Sequence, residues 1–199
     1  MLQKQKKAIQ EFLKHYRQGD ICVHPTDTLP GLTILPTSEN LTRLHLFKGR
    51  DSEKHFVFLV SSVDRALSFF AELPKGWEQK LRIFWPDSLT VVFQARAKIP
   101  REWLGPEDTI AIRVPRWPEE FSVMEKILEE LESPMPTTSI NLCGQKPLYH
   151  AEEIRIFAKD LYTPEFSFTT EALSLPSTLL KINPDGSYKI LRQGRFYVS

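Results

Sequence analysis

The chain has 199 residues, 41% of them apolar and 26% charged, with a formal net charge of +1. That length predicts one globular domain with a sizeable core, and the charge balance draws neither nucleic acid nor a membrane to the molecule as a whole, so any polyanion must be held by a local cluster. Two cysteines, Cys22 and Cys143, exclude a cysteine-rich zinc site and a disulfide framework and point to a reducing, cytoplasmic setting.

The N-terminal Met1-Leu2-Gln3-Lys4-Gln5-Lys6-Lys7 is basic but leads into no apolar leader segment, and no stretch reaches bilayer-spanning length, so neither a targeting signal nor a membrane partner is expected. Ile9, Phe12, Leu13 and Tyr16 fall at helical spacing, and Gln18-Gly19-Asp20 supplies the stop. A first strand at 21–24 runs into the loop Pro25-Thr26-Asp27-Thr28-Leu29-Pro30-Gly31-Leu32, which gathers hydroxyls, a carboxylate and two prolines at a strand end. Pro, Thr, Asp and Gly are also what an ordinary turn prefers. Leu41, Leu44, His45 and Lys48 mark a second helix with Ser38 as its N-cap.

Further strands are predicted at 56–60, 89–93, 109–114, 135–139, 178–182 and 188–191, separated by helical patterns over 63–70, 77–84 and 121–131. Such alternation predicts an α/β sheet with helices packed on it. Asn183-Pro184-Asp185-Gly186 is a turn signal that makes the last two strands a hairpin, and 163–176 is the least structured stretch, a candidate mobile loop.

Several polar segments punctuate this frame. They are the loop from Pro25, then Lys48-Gly49-Arg50 with Lys54, Trp85-Pro86-Asp87-Ser88-Leu89-Thr90, Thr109 to Pro115 around Arg113, Thr137-Thr138-Ser139-Ile140-Asn141-Leu142-Cys143-Gly144, Pro176-Ser177-Thr178-Leu179 and Leu191-Arg192-Gln193-Gly194. In that order they resemble the YrdC family, whose members make threonylcarbamoyl-adenylate for tRNA modification. The family pattern runs Pro-Thr-Asp/Glu-Thr-Val-Tyr-Gly-Leu, Lys-x-Arg, Trp-Pro-Gly-Pro-Leu-Thr, an Arg-x-Pro strand and Ser-Thr-Ser-Ala-Asn-x-Ser-Gly. The resemblance covers the chain from Ile21 to Gly194, and the ordered set is far more specific than any member of it.

The resemblance implies a single-domain twisted open sheet of mixed strands with flanking helices over residues 1–199, in the short bacterial form that lacks the extra C-terminal domain of longer relatives. It implies L-threonine, bicarbonate and ATP as substrates, with Mg²⁺ on the triphosphate and no tightly bound cofactor. Its product goes to separate threonylcarbamoyl-transferase proteins, and tRNA is a further possible partner. Anionic reactants must be brought together against their mutual repulsion, which calls for fixed cations in a small volume. Lys48, Arg50, Lys54, Arg113 and Arg192 are the available set.

By the resemblance Lys48 and Arg50 contact nucleotide phosphates, although basic residues also end helices for dipole reasons. Arg113 lies opposite Ile110, Ile112 and Val114 on its strand, beside Thr109, and the family's matching arginine holds the threonine carboxylate, a task for a planar fork. Thr26 and Thr28 face the amino acid, Asp27 caps the loop or supports it from behind, and Thr137, Ser139, Asn141 and Ser177 add small polar groups that accept from or donate to substrate. Gly144 is either a site of close backbone approach or a plain turn glycine. The set contains no obvious covalent nucleophile, so positioning and electrostatics carry the chemistry.

Asp27 is the one nearby carboxylate to consider for metal or base duty. The five histidines show no paired metal spacing, and His24 and His55 are assigned surface or packing roles. Pro30, Ile140 and Asp51 depart from the pattern: the first removes a pocket aromatic, the second adds volume beside the site, and the third sets a negative charge near the phosphate contacts. Two rivals remain, a non-catalytic RNA-binding relative and, less favoured, the carbamoyl-adenylate module of hydrogenase-maturation proteins, whose acylphosphatase and zinc-finger regions this chain lacks.

Overall fold

Ile9, Phe12, Leu13 and Tyr16 form one buried stripe of α1 (Leu2–Arg17) and meet Val123, Met124, Ile127 and Leu128 of α5 (Ser122–Glu130), so each helix hides its apolar face against the other and the sheet. The computed structural model describes residues 2–49, 56–131, 133–164 and 175–198. Arg50, Asp51, Lys54 and His55, and most of the predicted loop 163–176, lie outside the described residues.

Among the described residues eight strands form one sheet: β1 (Cys22–His24), β2 (Gly31–Thr33), β3 (Val57–Leu59), β4 (Leu89–Gln94), β5 (Thr109–Arg113), β6 (Met135–Ser139), β7 (Thr178–Ile182) and β8 (Tyr188–Arg192). Their spatial order is β1-β2-β6-β3-β5-β4-β7-β8, with β3–β5 and β4–β7 parallel and the other neighbours antiparallel. The mixed open sheet expected from the sequence is what forms. The hairpin at Asn183 to Gly186 closes as expected, with Asn183 N donating to Ser187 O at 2.8 Å.

Period-2 alternation splits the sheet into two faces. Val23, Phe58, Val91, Ile110, Ile112 and Leu180 point to one, where α2 (Ser38–Phe47), α3 (Val63–Leu67), α4 (Trp77–Phe84) and α6 (Ala151–Phe157) add Leu41, Leu44, Ala66, Trp77, Leu81 and Ile154 to the main core. Cys22, Leu59 and Met135 point to the other, beneath α1 and α5. The same parity and pairing put His24, Thr137, Ser139, Arg113 and its cross-strand neighbour Thr90 on that second face. The two helices pack over its Cys22–Met135 region, and the polar row beyond them builds the site.

Several boundaries differ from expectation. Thr37, not Ser38, caps α2: its Oγ1 accepts from Asn40 N at 3.3 Å, and Ser38 is the first helical residue. α3 ends at Leu67, and α5 is preceded by a 3₁₀ turn over Glu119–Phe121. β2 falls within the stretch read as loop, and α6 was not anticipated. Ile140 is fully buried in the main core, so its extra volume fills that core and not the site.

Candidate active site

Arg113 ends β5 and is 4% exposed. Its guanidinium donates through Nη2 to Asp27 Oδ1 at 2.5 Å, through Nη1 to Thr28 Oγ1 at 2.7 Å and through Nε to Asp87 O at 3.4 Å. The other carboxylate oxygen of Asp27 accepts from Arg116 N at 3.1 Å. Both oxygens are therefore engaged by protein donors, and Asp27 orients and neutralises Arg113 from behind rather than standing ready as a base or metal ligand.

The hydroxyl hydrogens in the preceding loop are fixed by their partners. Thr26 Oγ1 donates to Leu29 O at 2.7 Å, because a carbonyl oxygen only accepts, and it accepts from Thr28 N at 3.0 Å. The 3.1 Å contact between the two hydroxyls then has Thr28 donating to Thr26. With Arg113 donating to it as well, Thr28 Oγ1 has its hydrogen turned inward.

A cavity of about 210 Å³ opens on these groups, lined by Thr26, Thr28, Pro30, Gly31, Val57, Arg113, Thr137, Thr138, Ser139, Ser177 and Arg192, among others. It is a minor hollow by volume: a groove of about 930 Å³ beside Asp64, Glu72 and Arg82 is larger, but the polar residues singled out from the sequence converge on the smaller one. Arg192, at the end of β8, donates to Ser177 O through Nη2 at 2.9 Å and Nε at 3.2 Å, and Ser177 Oγ lies 2.8 Å from Thr90 Oγ1. Burial, and after it the nearby charge of Arg113, lower the pKa of Arg192. Two guanidiniums thus border one hollow, and the charge of Arg113 weighs on Arg192. Gly194 lets this C-terminal arm lie flat: a Cβ there would meet Pro176 O and the Ser177 carbonyl.

Lys48, 2% exposed, caps the C-terminus of α2 and sends Nζ to Ser139 O and to Asn141 Oδ1, the latter at 2.7 Å. Ser139 Oγ donates to the same Asn141 Oδ1 at 2.7 Å. Lys48 and Asn141 thus adjoin the cavity through Ser139 instead of lining it.

Of the residues singled out from the sequence, Thr26, Thr28, Arg113, Thr137, Ser139, Ser177 and Arg192 meet at the cavity, with Lys48 and Asn141 one contact behind. Thr109 does not reach it. It shares Arg113's face but starts β5 where Arg113 ends it, four residues and roughly 13 Å away at about 3.3 Å per residue, and its hydroxyl is closed on Pro106 O at 2.8 Å. Arg50 and Lys54 lie outside the described residues. Among the described residues no group of three His, Cys, Asp or Glu side chains is placed to hold a metal ion, and no helix is long and apolar enough to cross a membrane.

His24 is the residue that sequence reasoning set aside. It is fully buried behind the cavity wall, with Nδ1 2.9 Å from Pro25 O and Nε2 2.8 Å from Thr137 Oγ1. Burial pulls its pKa down to about 4, against the opposing pull of the Pro25 carbonyl. A single histidine on a short strand carries no periodic signal, and its partner comes from β6.

The chain resembles known proteins along most of its length. A threonylcarbamoyl-AMP synthase from Vibrio campbellii is 27% identical over 191 residues, covering 94% of this chain and 100% of that protein. A synthase of the same name from Pyrococcus abyssi is 29% identical over 147 residues, but these represent 73% of this chain and only 41% of that longer protein. Among solved structures, E. coli YciO superposes with a TM-score of 0.80 at 20% identity, covering 96% of this chain and 90% of that one. P. abyssi Sua5 complexed with L-threonine gives 0.79 at 24% identity, covering 94% and 54%. The family model Sua5_yciO_yrdC, described as telomere recombination, matches residues 14–194, and the chain belongs to this Sua5/YciO/YrdC family.

Proposed function

We propose that the protein is a threonylcarbamoyl-AMP synthase, joining L-threonine, bicarbonate and ATP into L-threonylcarbamoyladenylate and pyrophosphate. The observation that carries this reading is the convergence of Arg113 and Arg192 on one small hydroxyl-lined cavity. Two cations forced together favour an occupant with separated negative charges. Its volume of about 210 Å³ lies below the roughly 300–1,000 Å³ of drug-sized ligand sites, which suits an amino acid, with the nucleotide extending outward.

In this reading the threonine carboxylate docks on the N–H groups that Arg113 still offers, since its five donors exceed the three contacts described. Its amine takes up bicarbonate as a carbamate with loss of water. A carbamate oxygen then attacks the α-phosphorus, the bond to the β-phosphate oxygen breaks, and pyrophosphate leaves. Arg192 and Ser177 face the phosphate side, while Lys48 holds Ser139 and Asn141 in place and adds charge behind them. Mg²⁺ enters with ATP as part of that substrate. Arg50 and Lys54 are assigned to the triphosphate on their place in the motif. The adenylate would be consumed by separate transferase proteins acting on tRNA in the cytoplasm.

The test is pyrophosphate release from Mg·ATP with bicarbonate and each of several amino acids, run beside Lys48→Ala. Release that requires both bicarbonate and L-threonine and is lost in the variant supports the reading. Folded protein that releases none with any amino acid refutes it.

A further inference from the structure

We propose that His24 is a positioning residue for the amino group of the amino acid: it holds the Thr137 hydroxyl with its hydrogen turned away from the cavity, so that Thr137 meets the substrate with a lone pair. This rests on the reading of the cavity as an amino-acid site.

The direction of each hydrogen follows from the partners. Pro25 O only accepts, so His24 Nδ1, 2.9 Å away, carries the ring hydrogen. With its pKa near 4 the ring has no second hydrogen at neutral pH, and Nε2 is a bare acceptor. Thr137 Oγ1, 2.8 Å from Nε2, must donate to it. What Thr137 then shows to the cavity it lines is oxygen without hydrogen.

On the opposing loop Thr26 has spent its hydrogen on Leu29 O, and Thr28 has spent its own on Thr26. Thr26 Oγ1, which also accepts from Thr28 N, has no lone pair left, whereas Thr28 and Thr137 each keep one toward a hollow to which Arg113 and Arg192 bring guanidinium donors. Such a site is complementary to a zwitterion, with the carboxylate toward the guanidiniums and the N–H bonds toward the oxygens. A free hydroxyl rotates to suit either ligand type; here the rotor is set before the substrate arrives.

A second observation protects the same contact. Gly31 sits opposite His24 in the β1–β2 register, and a Cβ on Gly31 would collide with His24 Nε2 and Thr137 Oγ1. The backbone is held close enough over the His24–Thr137 pair that only glycine fits without displacing it.

Calorimetric titration of L-threonine and of 3-hydroxybutyrate, which keeps the carboxylate and hydroxyl but has no amino group, tests the assignment. His24→Leu frees the rotor and is expected to weaken L-threonine about tenfold, with 3-hydroxybutyrate unchanged and kcat at saturating threonine within about twofold. His24→Gln, whose Oε1 reaches the Nε2 position, is expected to restore most of the affinity. Equal weakening of both ligands, or none, overturns the proposal. Should His24→Leu not fold, Thr137→Val decides: selective loss of L-threonine supports the role, and unchanged L-threonine affinity overturns it. Wild-type protein that binds no amino acid refutes the site itself, and that result appears before any variant is made.

Discussion

Asp27→Asn changes one charge and almost no volume, which makes it a clean probe of how the arginine at the centre of the site is supported. The Asp27 and Arg113 side chains are 9% and 5% exposed, so the pair has little water to fall back on. An amide offers one acceptor where the carboxylate offers two. Either Arg113 Nη2 or Arg116 N must then face an NH₂ group, and the guanidinium is left buried beside Arg192 without an opposite charge. Removing one partner of a buried ion pair costs about 3–5 kcal/mol, a large share of the roughly 5–15 kcal/mol that holds a domain together. With a urea slope of about 2 kcal/mol per molar, the unfolding midpoint should drop by roughly 2 M. Asp27→Leu combined with Arg113→Met removes both charges and should recover most of that stability while threonine binding stays lost. A single-variant loss below about 1 kcal/mol, or a double variant no more stable than the single, would refute the account of Asp27 as Arg113's counter-charge.

Stability should also depend on pH through His24. Its ordinary pKa of 6.5 falls to about 4 on folding, so between those values the unfolded chain binds a proton that the native state refuses. The contribution is full above about pH 6.5 and is lost as pH falls toward 4, a difference of about 3 kcal/mol at about 1.4 kcal/mol per tenfold in proton affinity. Urea midpoints measured across that range should decline by that much more in wild type than in His24→Gln. Gly31→Ala should lower stability by about 1–3 kcal/mol through overpacking and weaken L-threonine at least tenfold, read by thermal melting and calorimetry. Arg113→Lys keeps the charge but loses the fork, and should raise the KM for L-threonine about 10- to 100-fold.

What the sequence made legible follows from local signals. The stripe Ile9, Phe12, Leu13, Tyr16 and the Asn183 to Gly186 turn each need only their own neighbours, and the structure keeps both. β2 escaped because Gly31-Leu32-Thr33 is too short to show a period; it is a strand because β1 and β6 pair with it from either side. Thr109 and Arg113 read alike by alternation, and only the sheet shows that one end of β5 reaches the cavity and the other does not. Arg113 announced itself as a charge in an apolar strand. Its burial against Asp27, and the bond from Thr137 to His24, depend on contacts between distant segments that alternation cannot predict.

The order of strands also has a kinetic consequence. Gly31 lies opposite Ser139 across β2 and β6, Arg113 lies opposite Thr90, and Thr90 opposite Leu179, so the cavity's walls come from segments scattered from the first strand to the last. Closing such long loops before their contacts reward it makes folding slow relative to helical domains of the same size. The cavity therefore exists only once the whole sheet has closed, and a partly folded chain has no amino-acid site to offer. On the proposed reading threonine is a ligand of the native state alone, and at a hundred times its dissociation constant it would add about 2.7 kcal/mol to global stability. Substrate supply and the lifetime of the folded protein would in this way be coupled through topology.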